Sequence, residues 1–278
     1  MKTVILAGGL GSRLQEETST RPKPMVEIGG RPILWHIMKH YAAHGCREFV
    51  LALGYKGHII KDYFLRYREH ASNLSINLAN GDTTLATSRG EDWLIHLVDT
   101  GETTQTAGRL DRLRPYLADK TFLMTYGDGV SDVDIQATLE FHQRHRRFAT
   151  VTAVRPPARF GAISFDGDRV DQFFEKQLPV NATDSFINGG FFVCEPEVLR
   201  YLGPDPDATP FETTPLDQLA REQQLMAYRH LGFWQCMDTL RDRQHLEELW
   251  AQGHAPWATW EGSHPFTHVE NRNAELLV

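Results

Sequence analysis

Three glycines within four positions follow the first apolar run of the chain. The segment Leu6-Ala7-Gly8-Gly9-Leu10-Gly11-Ser12-Arg13 continues a short β-branched run. A strand that ends in glycines can present a concave nest of backbone N–H groups to a phosphate. Glycine suits such a loop because the backbone must approach the ligand closely or adopt a positive φ. A tight turn without a ligand is the alternative interpretation. Residues 6–13 are therefore a candidate anion-binding loop.

Two other phosphate-binding motifs do not fit this segment. A Walker A loop requires GxxxxGK[ST], and no lysine stands in register with Gly8 and Gly9. A dinucleotide fingerprint aligned on Gly9 and Gly11 would place its third glycine at Leu14. The second predicted strand, residues 48–53, also lacks an acidic residue near its end for a ribose hydroxyl. These absences disfavour a P-loop NTPase and a nicotinamide oxidoreductase.

Lys23 has neighbours that suit phosphate chemistry. It stands between two prolines, which keep the segment extended, so that little entropy is lost when the lysine meets an anion. Asp128 stands between two glycines after an apolar run, and Asp238 comes just before a predicted helix, and these local positions by themselves favour structural roles. The structural alternatives are an exposed loop lysine, a turn at Asp128 and a helix N-cap at Asp238.

The elements that must position these residues alternate between strand and helix. The patterns predict a strand over 2–7, a helix over 32–44, a strand over 48–53 and a helix over 58–68. This order indicates a parallel sheet with right-handed crossovers. The remaining predicted strands are 74–78, 94–98, 121–126, 149–154, 161–165, 169–174 and 186–194, and the remaining helices are 107–118, 135–145, 215–223 and 239–251. We therefore predict an α/β fold with a Rossmann-like, mixed, mostly parallel sheet flanked by helices, and a small antiparallel excursion in its second half.

Composition and charge exclude several classes of protein. The chain has 278 residues, 41% of them hydrophobic, and a formal net charge of −7, which disfavours a nucleic-acid partner. Three cysteines without a CxxC spacing indicate buried thiols in a reducing compartment. No apolar run approaches the roughly 20 residues of a membrane span, and the N-terminus has neither the apolar core nor the cleavage site of a secretory signal. We expect a cytoplasmic protein with no nucleic-acid or membrane partner.

The glycine loop opens a longer ordered series of motifs. It continues with Arg21-Pro22-Lys23-Pro24-Met25, Gly54-Tyr55-Lys56-Gly57, Gly108-Arg109-Leu110, Tyr126-Gly127-Asp128-Gly129, Phe174-Glu175-Lys176, Ile187-Asn188-Gly189-Gly190 and Met237-Asp238-Thr239. The series runs from about residue 1 to 260. It resembles the sugar-1-phosphate nucleotidyltransferases, or sugar-nucleotide pyrophosphorylases, and among them the members that use CTP and glucose 1-phosphate. The resemblance implies the nucleotide-diphospho-sugar transferase fold, CTP and a hexose 1-phosphate as substrates, Mg²⁺ as cofactor and a homo-oligomer.

The resemblance also implies a role for each matching position. The implied nucleotide-binding residues are Leu6, Ala7, Gly8, Gly9, Leu10, Gly11, Ser12, Arg13, Lys23, Thr104, Gly108, Arg109, Gly127 and Asp128. Those implied for the sugar phosphate are Tyr126, Glu175, Lys176, Asn188 and Gly189. Asp128 and Asp238 would share the metal ion. Arg13, Lys23 and Asp128 are the implied catalytic residues, because they would act on the reacting phosphates.

The same resemblance bounds the domain and leaves two functional alternatives open. We predict a single nucleotidyltransferase domain over residues 1–260, with a nucleotide-binding half over about 1–130, a sugar-phosphate half over about 131–240, a C-terminal helical segment over 239–260 and a mobile tail over 261–278. The first alternative is the same reaction with UTP, dTTP or another hexose 1-phosphate. The second is a non-catalytic protein that binds a sugar nucleotide.

Two sets of aromatic residues lie outside these motifs. His36, His40 and His44 recur every four residues and share one face of a predicted helix. No HExxH pattern surrounds them, so we predict a surface or subunit-contact stripe rather than a metal site. Trp250, Trp257 and Trp260 are predicted to pack in the core or at a subunit interface.

Overall fold

The computed structural model describes residues 1–85, 90–156, 162–166, 169–174 and 186–260. Its strands are β1 (Lys2–Leu6), β2 (Glu27–Ile28), β3 (Arg31–Pro32), β4 (Glu48–Leu53), β5 (Leu74–Ile76), β6 (Thr83–Leu85), β7 (Leu94–Asp99), β8 (Phe122–Tyr126), β9 (Gly129–Ser131), β10 (Ala149–Val154), β11 (Ala162–Asp166), β12 (Arg169–Phe174), β13 (Ile187–Cys194), β14 (Leu225–His230) and β15 (Trp234–Cys236). Its α-helices are α1 (Gln15–Thr18), α2 (Ile33–Ala43), α3 (Gly57–Leu65), α4 (Tyr67–His70), α5 (Thr106–Arg112), α6 (Arg114–Leu117), α7 (Ile135–His145), α8 (Thr214–Arg221) and α9 (Leu240–Ala251). Within these ranges, no helix has the length and hydropathy that a bilayer crossing requires.

Seven strands form the central sheet, in the order β14-β10-β13-β8-β1-β4-β7. β1 pairs in parallel with β4 and β8, and β4 with β7 and β10 with β14 pair in the same way. β13 runs antiparallel to both of its neighbours, β10 and β8. Outside this sheet, β11 and β12 form an antiparallel pair, so the predicted excursion is confirmed along with the mixed, mostly parallel sheet.

This topology gathers several chain segments at one edge of the sheet. The carboxyl ends of β1, β4, β7 and β8 lie there, and because β13 is reversed, its amino end lies there too. In open α/β sheets, ligands bind outside the carboxyl ends of the strands. The glycine loop after β1, Asp128 after β8 and Asn188 near the start of β13 are therefore brought to the same edge.

Each face of the sheet is covered by its own apolar cluster. Side chains of a strand alternate between the two faces, so Ile5 packs on one side of β1 while Val4 and Leu6 pack on the other. The cluster around Ile5 includes residues of α2 and α9 as well as Trp250 and Trp257, which are 7% and 0% exposed. These two tryptophans are core residues, and Trp260 packs against the same cluster.

Two of the three spaced histidines are buried within the chain, so the prediction of a surface or subunit-contact stripe is wrong for them. Helix α2 lies between the sheet and the C-terminal segment, and His36 and His40 are 0% and 3% exposed. The Nε2 of His36 donates to the carbonyl of Ile28 at 2.9 Å, and that of His40 to the carbonyl of Val133 at 2.9 Å. Burial lowers the pKa of His36 to about 4 and that of His40 to about 3. Both rings are therefore neutral at pH 7.

Candidate active site

A cavity of about 460 Å³ opens at the carboxyl edge of the sheet. Twelve of the residues predicted to bind nucleotide line it: Leu6, Ala7, Gly8, Gly9, Gly11, Ser12, Arg13, Lys23, Thr104, Arg109, Gly127 and Asp128. A second cavity of about 250 Å³ shares Arg13, Tyr126, Asp128 and Asn188 with the first and is also lined by Gly189 and Asp238. Most of the predicted site is thus gathered around two adjoining spaces.

The lysine and the two aspartates of the sequence motifs meet at one point. Lys23 Nζ lies 2.6 Å from Asp128 Oδ2 and 2.6 Å from Asp238 Oδ1. The other oxygen of Asp238 accepts from Arg13 Nη1 at 2.7 Å. Lys23 is only 8% exposed, whereas the side chain of Arg13 is 72% exposed. The buried ammonium therefore organises the carboxylates, and the exposed guanidinium is accessible to an incoming anion.

A short antiparallel pair brings the two aspartates together. β9 begins directly after Asp128 and β15 ends two residues before Asp238, and the pairing sets Cys236 opposite Gly129. The amide of Met237 also donates to the carbonyl of Asp128 at 2.8 Å. Asp238 is not the cap of α9, because Thr239 and Asp242 form a capping box at that helix end. The carboxylate of Asp238 is therefore available to the site.

Electrostatics keep Lys23 and Asp238 charged. Burial lowers the pKa of Lys23, but Asp128 and Asp238 outweigh this effect, and the net pKa is raised above its usual value. Burial raises the pKa of Asp238, but Lys23 and then Arg13 outweigh it, and the net pKa is lowered. The two carboxylates that converge on the Lys23 ammonium supply the hard oxygen donors that Mg²⁺ prefers. The chemistry of the donor set thus fits a divalent cation whose other ligands come from phosphates and water. No group of three or more His, Cys, Asp or Glu side chains among the described residues forms a metal cluster.

Arg109 lies beneath the glycine loop and is bound to the protein itself. Its Nη2 donates to the carbonyl of Gly8 at 2.9 Å, and its Nη1 donates to Thr100 Oγ1 and to the carbonyl of Gly101, each at 2.8 Å. A longer bond of 3.2 Å reaches the carbonyl of Leu53. Arg109 is 4% exposed, and burial lowers the pKa of its guanidinium. In this arrangement Arg109 joins the glycine loop to the ends of β4 and β7.

A network of neutral and acidic side chains forms another part of the cavity wall. Tyr126 OH donates to Glu212 Oε1 at 2.5 Å, and Asn188 Nδ2 donates to Tyr126 OH at 3.3 Å. Burial, followed by the charge of Glu212, raises the pKa of Tyr126, so the phenol remains a donor. Thr106 Oγ1 donates to Glu212 Oε2 at 2.7 Å. Glu212 and Thr106 were not found from the sequence, because they belong to no motif.

Some predicted residues lie elsewhere. Leu10 is 57% exposed and does not line the cavity. Gly108 lies where α5 meets Asp207, and a Cβ there would come within 2.5 Å of Asp207 Oδ1, so close packing accounts for this glycine. Glu175 and Lys176, the predicted hydroxyl and phosphate ligands, lie outside the described residues, as does the predicted tail over 261–278.

Known proteins resemble this chain over most of its length. The nucleotidyl transferase family model matches residues 2–242. The chain is 52% identical over 262 residues to the glucose-1-phosphate cytidylyltransferase of Salmonella typhi, covering 94% of this chain and 100% of that protein. It is 42% identical to the probable glucose-1-phosphate cytidylyltransferase of Bacillus subtilis, with coverage of 94% and 100%.

Solved structures support the fold. A putative glucose-1-phosphate thymidylyltransferase from Bacillus anthracis superimposes with a TM-score of 0.65 at 19% identity, covering 90% of this chain and 94% of that one. A UDP-glucose pyrophosphorylase gives 0.62 at 14% identity, with coverage of 90% and 98%. Likeness at such low identity shows the fold alone. The family model and the sequence identities place the chain in the nucleotidyl transferase family and, within that family, among the glucose-1-phosphate cytidylyltransferases.

Proposed function

We propose that this protein transfers the CMP group of CTP to glucose 1-phosphate, giving CDP-glucose and pyrophosphate, with Mg²⁺ as its metal ion. The observation that carries the proposal is the bridge of Lys23 between Asp128 and Asp238, at 2.6 Å to each, beside the glycine loop. The choice of substrates rests on the 52% identity over the whole length of a glucose-1-phosphate cytidylyltransferase.

The reaction must overcome repulsion between two anions. A phosphate oxygen of the sugar phosphate attacks the α-phosphorus of CTP, a new P–O bond forms, and the bond to the β-phosphate breaks to release pyrophosphate. At about 4 Å, two unit charges repel by about 1 kcal/mol in water and by about 4 kcal/mol at an effective dielectric of 20. Excluding water therefore requires fixed cations. Positioning and electrostatic stabilisation are sufficient, and no covalent nucleophile is needed.

The glycine loop, Arg13 and Lys23 would each bind or neutralise a different part of the phosphates. The backbone N–H groups of residues 8–13 would bind the triphosphate. Arg13, which is exposed and already bonded to Asp238, would contact the phosphates as they enter. Lys23 would stabilise the negative charge that develops around the α-phosphorus, because its pKa is raised and its ammonium remains charged.

Asp128 and Asp238 would hold the metal ion together with phosphate oxygens and water. When bound, Mg²⁺ neutralises phosphate charge and orients the triphosphate. Before substrates arrive, Lys23 keeps the two carboxylates directed at a common point. The homo-oligomeric assembly and the cytoplasmic location remain predictions from the sequence.

A triphosphate panel tests the proposal. Pyrophosphate release would be measured with CTP, UTP, dTTP, ATP and GTP, each with glucose 1-phosphate and Mg²⁺, and we expect CTP to give the highest kcat/KM by at least about tenfold. The matched control is Asp128→Asn purified in the same way, which reports contaminating activity. Preference for UTP or dTTP would favour the alternative substrates. Tight nucleotide binding without turnover of any triphosphate would favour a binding protein.

A further inference from the structure

Glu212 is a carboxylate in the cavity that the reaction described above does not use. It lines the same cavity as Lys23 and the glycine loop, its side chain is exposed there, and it lies just before α8. A negative charge in a cavity that receives two phosphate-bearing substrates repels both of them. Glu212 is therefore suited to contact a part of the substrates that carries hydrogen-bond donors rather than a phosphate.

The neighbours of Glu212 fix its orientation from two sides. Tyr126 OH donates to Oε1 at 2.5 Å, and Thr106 Oγ1 donates to Oε2 at 2.7 Å. Thr106 Oγ1 itself accepts from the amide of Phe211 at 2.7 Å, so its hydrogen is directed at the carboxylate. In the same way, Asn188 Nδ2 donates to Tyr126 OH at 3.3 Å and leaves the phenolic hydrogen for Glu212.

The Glu212 carboxylate can accept further hydrogen bonds from a ligand. An ionised carboxylate has about four lone-pair sites, and among the described residues two are occupied, one on each oxygen. A carboxylate held by two oriented hydroxyls is a preorganised acceptor, because binding costs it little rotational freedom. The carboxylate can only accept hydrogen bonds. Away from their phosphates, the two substrates offer hydrogen-bond donors on the sugar hydroxyls and on the amino group of the base.

We infer that Glu212 accepts a hydrogen bond from a ring hydroxyl of the hexose and so contributes to selection of the sugar phosphate. The assignment rests on the proposed function. Tyr126 and Asn188, which connect to Glu212, both line the adjoining cavity as well and are predicted to bind the sugar phosphate. The competing donor is a ribose hydroxyl of the nucleotide, because Thr106 lies two residues from Thr104, which is predicted to bind the nucleotide.

Deoxy analogues separate these donors. The variant Glu212→Gln keeps the shape of the side chain and removes its charge. For this variant kcat/KM would be measured with glucose 1-phosphate and its 2-, 3-, 4- and 6-deoxy forms. A hydrogen bond to a charged acceptor corresponds to about a 10- to 100-fold effect. The wild-type protein should discriminate against one deoxy form by this factor. In Glu212→Gln, kcat/KM for glucose 1-phosphate should fall by the same factor. The variant should no longer discriminate against the deoxy form that the wild-type protein rejects, and its KM for CTP should stay within about twofold of the wild-type value.

A second variant and a matched control complete the design. Glu212→Asp, which keeps the charge but withdraws the oxygens by one methylene, should weaken discrimination against the same deoxy form. Glu222 makes an equivalent pair outside the cavity, where Tyr201 OH donates to its Oε2 at 2.6 Å, so Glu222→Gln should leave every rate unchanged.

Three outcomes would overturn the assignment. The first is unchanged kinetics in Glu212→Gln, and the second is an equal loss with all four deoxy forms. The third is a loss of discrimination against 2′- or 3′-deoxy-CTP in place of the hexose analogues. A wild-type protein that does not turn over CTP with glucose 1-phosphate would overturn the proposed function itself, and this result is distinct because it appears before any variant is compared.

Discussion

Replacing Lys23 with methionine removes one positive charge while keeping most of the side-chain volume. In the intact protein its Nζ lies 2.6 Å from Asp128 Oδ2 and 2.6 Å from Asp238 Oδ1, so these two oxygens are separated by no more than twice that distance. Without the ammonium, two carboxylate charges at no more than about 5 Å repel by at least about 3 kcal/mol at an effective dielectric of 20. The variant therefore loses both a cation for the transition state and the charge that offsets the repulsion between the two carboxylates.

The expected kinetic effect is a fall in kcat of about 10²- to 10³-fold, the usual cost of removing one fixed electrostatic donor. Pyrophosphate release with CTP and glucose 1-phosphate at saturating Mg²⁺ measures it, and circular dichroism establishes that the variant is folded. Lys39 offers a matched control, because its Nζ lies 2.7 Å from Glu91 Oε2 outside the cavity. Lys39→Met should retain the wild-type kcat.

The kinetics of Lys23→Met and Lys39→Met together decide whether Lys23 acts in the reaction. A loss of less than threefold in folded Lys23→Met would remove Lys23 from the mechanism. An equal loss in Lys39→Met would mean that the effect follows from removing a paired lysine anywhere in the protein. Because Lys23 is 8% exposed, a measurable loss of stability is also expected, and kinetics should be compared at a temperature where both variants are folded.

Three further changes probe other parts of the structure. Gly8→Ala would place a Cβ 2.1 Å from Arg109 Nη1. The free energy of unfolding of this variant, measured by urea titration, should therefore fall by about 1–3 kcal/mol. The control Gly9→Ala, whose Cβ would meet nothing within 4 Å, should leave the free energy of unfolding unchanged. Because the pKa of His36 is about 4 in the folded protein and about 6.5 when unfolded, the unfolded chain binds more protons between these values. Stability is then fully present above about pH 6.5 and declines as pH falls toward 4, with about 2 kcal/mol lost by pH 5, and His36→Gln should show a correspondingly smaller decline. Asp238→Asn should raise the Mg²⁺ concentration for half-maximal activity by at least about tenfold, and an unchanged Mg²⁺ titration would contradict its role as a ligand.

Much of the fold could be predicted because its long elements carry clear periodicity. The patterns placed β4, α7 and β10 at the bounds that the structure has. β14 was missed because it is an edge strand in which no residue is fully buried, and its sequence does not alternate between apolar and polar residues. The two-residue strands β2 and β3 were missed because they are too short to show a period.

The site was harder to predict from local pattern, because its geometry depends on contacts between distant segments. Asp128 and Asp238 meet through the pairing of β9 with β15, each of three residues, and neither strand was predicted. The resemblance to a family, rather than any local pattern, selected these two aspartates. Glu212 belongs to no motif and reaches the cavity through its bonds to Tyr126 and Thr106.

The glycines of the loop have different physical surroundings in the structure. Their sequence pattern predicts close approach of a phosphate or a positive φ. In the structure, the space that a Cβ of Gly8 would fill is taken by the guanidinium of Arg109, and the same guanidinium comes within 2.5 Å of a Cβ at Gly54. Gly11 has φ of +64° and no room for a Cβ beside Thr18.

Gly9 alone among these loop glycines has open space where a Cβ would stand. Gly9 is therefore the loop glycine at which we predict direct approach of a ligand, whereas Gly8 leaves room for the buried guanidinium of Arg109, which donates to the Gly8 carbonyl. Among the described residues, the Arg109 guanidinium donates to carbonyl and hydroxyl groups. Its positive charge would therefore strengthen the attraction between the N–H groups of the loop and a phosphate. We therefore expect the loop and Arg109 to act together in binding a phosphate.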